Sequence, residues 1–256
     1  MPPRDPRRLR ALPAVLVLVM LGACSHAPEK NAGSVHRLSA EGRDNVLVAQ
    51  GYLEQHKDAR AMEHVRLALQ TDPDAVEVHV VMAMIQEADG ELAKAGKSFD
   101  RALKLAPTSG AVLNAHAAWL CRQDKVDAAD PEFSRALRDP DYRTPIEALA
   151  NAGKCALKAR RWAKAEQYFR QALEYSPEDR QLLFMLADTE LRQGQTLEAR
   201  AFIQRRDALG ADAATLELAA KIEDAAGDRV SAARLRQRLS DEFPEHVPAV
   251  EGAATP

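Results

Sequence analysis

Strong charge, catalytic motifs and aromatic residues are all in short supply in this sequence. The formal net charge of the 256 residues is −3. A mildly acidic chain lacks the phosphate-neutralising basic surface that sequence-independent nucleic-acid binding needs, so nucleic acid is not expected as a partner. The histidines (His26, His36, His56, His64, His79, His116 and His246) form no H-E-x-x-H and no spaced Cys/His set, so no metal site is expected. His79 and His116 fall at large-residue positions of a helical pattern and read as core or rim packing. There is no Gly-x-Ser-x-Gly. The stretch GELAKAGKSF (90–99) approaches the phosphate-binding pattern G-x-x-x-x-G-K-[ST], but the first glycine should stand where Glu91 is. It also falls in an expected helix, whose backbone N–H groups are already bonded and cannot cradle a phosphate. The acid pairs Glu223–Asp224 and Asp241–Glu242 read as solvated helix faces. No catalytic constellation is left, so the chain reads as a non-enzyme with no cofactor and no small-molecule substrate. Aromatics make up only 5% of the residues. β-branched residues are sparse outside the N-terminus, while Ala, Leu, Arg and Glu dominate, a mixture that favours helix.

The N-terminus does carry an apolar run. Arg4, Arg7, Arg8 and Arg10 form a basic segment, Leu12 to Leu21 an apolar one of about ten residues, and Gly22-Ala23 a small-residue site. That run is too short to span a bilayer and has the layout of a secretory signal peptide over residues 1–23. Arg7-Arg8 lacks the rest of a twin-arginine pattern. Leu21-Gly22-Ala23-Cys24 resembles the bacterial lipobox, in which cleavage leaves the cysteine as the new N-terminus and lipids are attached to it. Several acyl chains on Cys24 would anchor the protein stably, where a single chain would be marginal. Ser25 rather than Asp follows the cysteine, which by resemblance to lipoprotein sorting points to the outer membrane. Residues 24–41 read as a lipidated cysteine and a polar tether reaching at most roughly 60 Å.

From residue 42 the sequence repeats, with units at 42–75, 76–109, 110–145, 146–179, 180–212 and 213–246. Position 8 is Ala49, Ala83, Ala117, Gly153, Ala187 and Ala220; position 20 is Ala61, Ala95, Ala129, Ala165, Ala199 and Ala232. Small residues at both places let two helices cross closely. Position 24 is Val65, Phe99, Phe133, Phe169 and Ile203, then Arg236, and fills the remaining space. Pro73, Pro107, Pro177 and Pro244 at position 32 end the second helix of their units. The pattern resembles the tetratricopeptide repeat, which implies an all-α, right-handed superhelical solenoid of six repeats and about twelve antiparallel helices. An irregular helical bundle is the alternative. Position 27 is Ala68, Ala102, Ala136 and Ala172, then Arg206 and Leu239. Loss of that alanine is expected near a capping end, where one face meets water. Asp130-Pro131-Glu132 reads as an N-cap followed by proline at the first helical position, so the second helix of repeat three should be shortened or kinked. The insert RDPDYRTP (138–145) supplies a longer turn. Residues 247–256 read as a disordered tail.

Cys121 and Cys155 lie on the first helices of repeats three and four, at positions 12 and 10. In an exported protein they form a candidate disulfide; two small buried thiols are the alternative. Bridged Cα atoms must lie within about 7 Å, and packed helix axes are about 8–10 Å apart, so the two side chains would have to point at each other.

The stretch from Leu113 to Asp179 resembles more than a generic repeat pair. LN…WLCRQ with Asn114 and Cys121, the insert DPDYRTP, and NAGKCAL with Asn151 and Cys155 are similar to the PilW/PilF family of type IV pilus biogenesis and stability lipoproteins. EGRDNVLVAQGYLEQ (41–55) and the ending FPE (243–245) extend the likeness to about 200 residues. Pro131, His116-Ala117 and the charged last repeat depart from the family pattern. The resemblance implies a pilotin: a lipid-anchored protein on the periplasmic face of the outer membrane that helps the pilus secretin localise and multimerise, by binding rather than catalysis, and is monomeric when free. The first helices would line a concave groove through Val80, Met84, Asn114, Ala118, Cys121, Arg122, Lys154, Leu157, Lys158, Phe184, Asp188 and Arg192. A groove with an apolar floor and cations at repeats three to five would suit an amphipathic helix or an extended segment carrying acids. The other function class is a repeat scaffold for β-barrel assembly or for cell-wall enzymes.

Overall fold

Six helix pairs follow one another along the chain, each pair one repeat. The computed structural model describes residues 38–246. The signal segment 1–23, Cys24, nearly all of the tether and the tail 247–256 lie outside the described residues. The pairs are α1 (Ala40–Glu54) with α2 (Asp58–Thr71), α3 (Val76–Ala88) with α4 (Leu92–Leu105), and α5 (Gly110–Arg122) with α6 (Val126–Ala136). Then come α7 (Pro145–Lys158) with α8 (Trp162–Tyr175), α9 (Arg180–Arg192) with α10 (Thr196–Ala208), and α11 (Ala213–Ala225) with α12 (Arg229–Glu242). A single 3-10 turn, Pro244–His246, closes the array, and no strand occurs among the described residues. This is a solenoid of the tetratricopeptide type.

The small residues do what their spacing implies. Every position-8 and position-20 residue from Ala49 to Ala232 is buried, and the position-24 side chains Val65, Phe99, Phe133, Phe169 and Ile203 fill the space beside them. At Gly153 the helices leave no room for a side chain: a Cβ there would fall within 2.7 Å of Phe169 Cδ1 and Cζ. One apolar cluster runs from Ala83 to Ile222, while a second joins Val46, Ala61 and Val65 of the first repeat to Val78, Val81 and Ile85 of α3.

Two further devices recur at fixed positions and were not anticipated. The residue at position 15, in the turn within each pair, is left-handed in all six repeats: His56, Gly90, Asp124, Arg160, Gly194 and Gly227, with φ between 55° and 81°. Three of these are glycine, which meets no Cβ penalty there. In repeats two, three, five and six, position 26 carries an arginine that reaches back to the preceding repeat; in repeat four it is Gln171. Arg101 pairs with Asp74, Arg135 donates to Pro107 O at 2.7 Å, Arg205 to Pro177 O at 2.7 Å, and Arg238 to Asp207 at 2.8 Å. Repeat one has nothing before it among the described residues, and its position 26 is Leu67.

Three expectations need correction. Helix α1 starts at Ala40, inside the expected tether, because Ser39 caps it: its hydroxyl accepts from Gly42 N at 3.0 Å and donates to Asp72 at 2.6 Å. Helix α6 starts at Val126, in step with the other repeats, so Pro131 lies inside the helix and Asp130 is not its cap. The proline removes the bond to the Asp127 carbonyl, and both residues are exposed, so that carbonyl faces water. The helix is indeed short, 11 residues against 13 or 14 in the other second helices, but it is lost at the other end. Pro140 keeps Asp139 out of helix, and the Asp139 carboxylate accepts from Gly110 N at 2.6 Å instead. We expect Pro131→Ala to stabilise the fold by about 1–3 kcal/mol, read as a higher urea midpoint with an unchanged slope. Finally, Arg206 does not meet water. It is buried, with its guanidinium bonded to Gly210 O at 2.6 Å and to the α11 cap Asp212 at 2.5 Å, so it secures the turn into repeat six.

Candidate functional site

The first helices of four pairs, α3, α5, α7 and α9, carry the expected groove residues, and the structure ranks them by availability. Val80, Ala118, Leu157 and Phe184 are half-buried and pack on the main core with one side facing out. Met84 is 38% exposed. Three depressions lie along this face. One of about 190 Å³ is lined by Val76, Val80 and Val112 with Gln50 and Glu77. A second, about 240 Å³, lies between α7 and α9, lined by Ile146, Ala150, Lys154, Leu182 and Met185 among others. The largest, about 370 Å³, lies between α9 and α11, lined by Phe184, Asp188, Leu191 and Arg192 on one side and Ala214, Glu217, Leu218 and Lys221 on the other. Repeat six was missing from the expected groove. Glu217 and Lys221 sit at positions 5 and 9 of their repeat, the positions that Val80 and Met84 hold in repeat two and Phe184 and Asp188 in repeat five, so the same spacing would have found them.

The middle of the face is braced. Cys121 and Cys155 are joined as a disulfide with Cα atoms 5.7 Å apart. The two cysteines point at each other because positions 12 and 10 of successive first helices meet across the α5–α7 seam. Asn151 Nδ2 donates to Asn114 Oδ1 at 3.2 Å across the same seam. Lys158 Nζ lies over the end of α5, 3.2 Å from Cys121 O and 3.1 Å from Arg122 O, and pairs with Asp124 at 2.7 Å. A cation is stable there because the last carbonyls of a helix carry partial negative charge.

This bracing narrows the expected cation cluster. Arg122 is held by Glu87 of α3 through two bonds of 2.7 and 2.6 Å. Arg192 pairs with Asp188 at 2.7 Å, one helical turn away, and lies over the Trp162 ring at 5.5 Å. Lys158 is occupied at the helix end. Of the four cations expected to face a partner, Lys154 alone is exposed without a partner among the described residues. Asn114, Cys121 and Cys155 are buried and serve the seam.

His79 and His116 are structural. His79 Nε2 lies 2.8 Å from Pro73 O, and His116 Nδ1 lies 2.7 Å from Glu132 Oε2 with its ring stacked on Trp119. Among the described residues, no group of three or more His, Cys, Asp or Glu side chains is placed to hold a metal ion.

Residues 76–109 and 150–214 each match the tetratricopeptide repeat family. The type IV pilus assembly protein PilF of Pseudomonas aeruginosa is 24% identical over 238 residues, covering 92% of this chain and 94% of that protein. The crystal structure of PilW, described as a widely conserved type IV pilus biogenesis factor, superposes with a TM-score of 0.73 at 27% identity, over 80% of this chain and 95% of that one. The chain carries tetratricopeptide repeats and is similar to PilF and PilW. The structure of P. aeruginosa PilF supports the fold, with a TM-score of 0.69 at 22% identity over 80% and 92% of the two chains. The similarity thus spans nearly all of each relative, so the repeat protein is matched as a whole and not through isolated repeats.

Proposed function

We propose that the repeat protein is a non-catalytic pilotin of type IV pilus biogenesis: a lipoprotein, anchored to the outer membrane through Cys24, that binds the pilus secretin and promotes its localisation and multimerisation. The observation that carries the reading is the end-to-end likeness to PilF and PilW, together with a braced first-helix face whose depressions have apolar floors. Clefts with apolar floors and charged rims suit an amphipathic helix or an extended segment of a partner, read through a handful of side chains. Lys154 and Glu147 are exposed charges lining the central cleft, so the partner segment is expected to bring an acid to Lys154. Lipid anchoring would then concentrate the bound secretin at the membrane without further contacts.

A cross-linking pull-down from membranes tests this. Wild type should capture the pilus secretin, and Lys154→Glu should weaken capture by about tenfold, the effect of reversing one charge at a binding rim. Equal capture by both proteins would move the binding face elsewhere while keeping the pilotin role. Recovery of barrel-assembly or cell-wall proteins in place of the secretin would replace that role with the general scaffold. Cys24→Ala should release the protein from the membrane fraction.

A further inference from the structure

The seam between repeats four and five buries a carboxylate that the binding face does not use. Glu190, near the end of α9, has a fully buried side chain. Its Oε1 accepts from Arg170 Nη2 of α8 at 2.5 Å, while its Oε2 is buried with no hydrogen-bond partner. Arg170 is shared with a second acid: its Nε donates to Glu166 Oε1 at 2.6 Å. Gln193 Nε2 donates to the other oxygen, Glu166 Oε2, at 2.9 Å. Two carboxylates therefore face one guanidinium.

Among the described residues, Arg170 is the cation that acts on Glu190. From α10, Glu198 adds negative charge, and Arg200 is committed to Glu223 of α11. Of the other charges of α11, Glu217 and Lys221 line the cleft on the groove face and Asp224 pairs with Arg236, while Lys154 and Glu147 of α7 line the cleft between α7 and α9. A bare, buried carboxylate oxygen is unfavourable, and a proton on it removes the charge. Burial, and then the Glu166 charge, push the Glu190 carboxyl above its ordinary range. Burial also acts to raise Glu166, but hydrogen bonds from Gln193 and Arg170 and the Arg170 charge hold it below its usual range. The two neighbours thus divide into a proton holder and an acceptor.

We propose that this seam is a proton-operated lock: a proton taken from solvent onto Glu190 Oε2 is donated in a hydrogen bond to Glu166 and fastens α9 to α8, and its loss loosens the joint. The sign follows from linkage. A carboxyl raised in the folded state contributes stability that is full at low pH and is lost as pH rises through the raised value. The joint is therefore firmer under mildly acidic conditions than at alkaline pH. On the groove face α7 and α9 are separated by the cleft of about 240 Å³, so the α8–α9 seam governs the width of the groove at that point. The lock does not depend on which partner the groove binds.

Hydrogen exchange on the full chain at pH 5 and pH 8, corrected for intrinsic rates, tests it. In wild type, amides of α8 and α9 should be several-fold less protected at pH 8 than at pH 5. Glu190→Gln places a neutral donor toward Glu166 at every pH and should abolish that difference, while α3 and α4 behave alike in both proteins. Glu166→Gln provides a second route, because its amide donates to the bare oxygen and removes the facing charge; it too should abolish the difference, and it decides the matter should Glu190→Gln not fold. Parallel pH responses of the seam in wild type and in the variants that fold would overturn the proposal.

Discussion

Replacing both Cys121 and Cys155 with alanine should lower the stability of the repeat domain by about 3–4 kcal/mol. The bridge closes a loop with a sequence separation of 34, and removing a cross-link of that span returns roughly that much conformational freedom to the unfolded chain. For a domain of this size the change corresponds to a fall of about 10 °C in melting temperature. Alanine suits the test because both sites are buried, and a serine hydroxyl would add a desolvation cost of its own. Wild type treated with reductant should lose most of the same increment, and the alanine variant should not respond to reductant. A wild-type protein with two titratable thiols in this domain and a melting temperature indifferent to reductant would show that the pair is not bridged. The Asn114–Asn151 bond and the Lys158 contacts across the same seam should remain, so the variant is expected to fold and to lose stability rather than structure.

The second large effect lies one seam away, in repeat four. Phe169→Ala should cost about 3–5 kcal/mol, the range for emptying a fully buried aromatic site. Gly153→Ala should cost about 1–3 kcal/mol for the opposite reason: the added methyl collides with the Phe169 ring, and an overpacked core must shift backbone or side chains. The two changes share one space, so their effects should not add. Gly153→Ala with Phe169→Leu is expected to be more stable than the sum of the single variants implies, by about 1 kcal/mol or more. Urea melts of the four proteins supply the cycle. Strict additivity would mean that the ring and the glycine do not contend for the same volume.

The glycine also shows how much of the fold could be read in advance. A close helix crossing leaves a direct trace in sequence, because only small side chains fit, and the trace recurs every 33 to 36 residues from Ala49 to Ala232. The left-handed turns were legible in part. Gly90, Gly194 and Gly227 mark position 15, but His56, Asp124 and Arg160 hide it in the other repeats, since the surrounding helices can force a residue into a conformation it does not favour. The position-26 arginines were visible in four repeats, yet an arginine on a helix surface looks like ordinary solvation until the preceding turn is brought under it.

Charge was the least legible feature. Arg122, Lys158 and Arg192 looked like a basic cluster, and each is engaged: by an acid on the preceding first helix, by the end of a neighbouring helix, and by an acid one turn away. Proline was misleading in a similar way. Pro131 read as a helix start, but its exposed site lets the helix continue with one carbonyl turned to water, and Asp139-Pro140 ends it instead.

By itself the sequence determined the class of fold, the number of helix pairs, the register of the repeats and the resemblance to pilus biogenesis proteins. Those properties depend on local spacing and on the size of a side chain at a crossing, which are written residue by residue. Tertiary structure alone decided which cysteine faced which, which cations stayed free and where a carboxylate was buried beside another. These depend on residues 20 to 40 apart in sequence meeting across seams, and on the desolvation that follows when they meet.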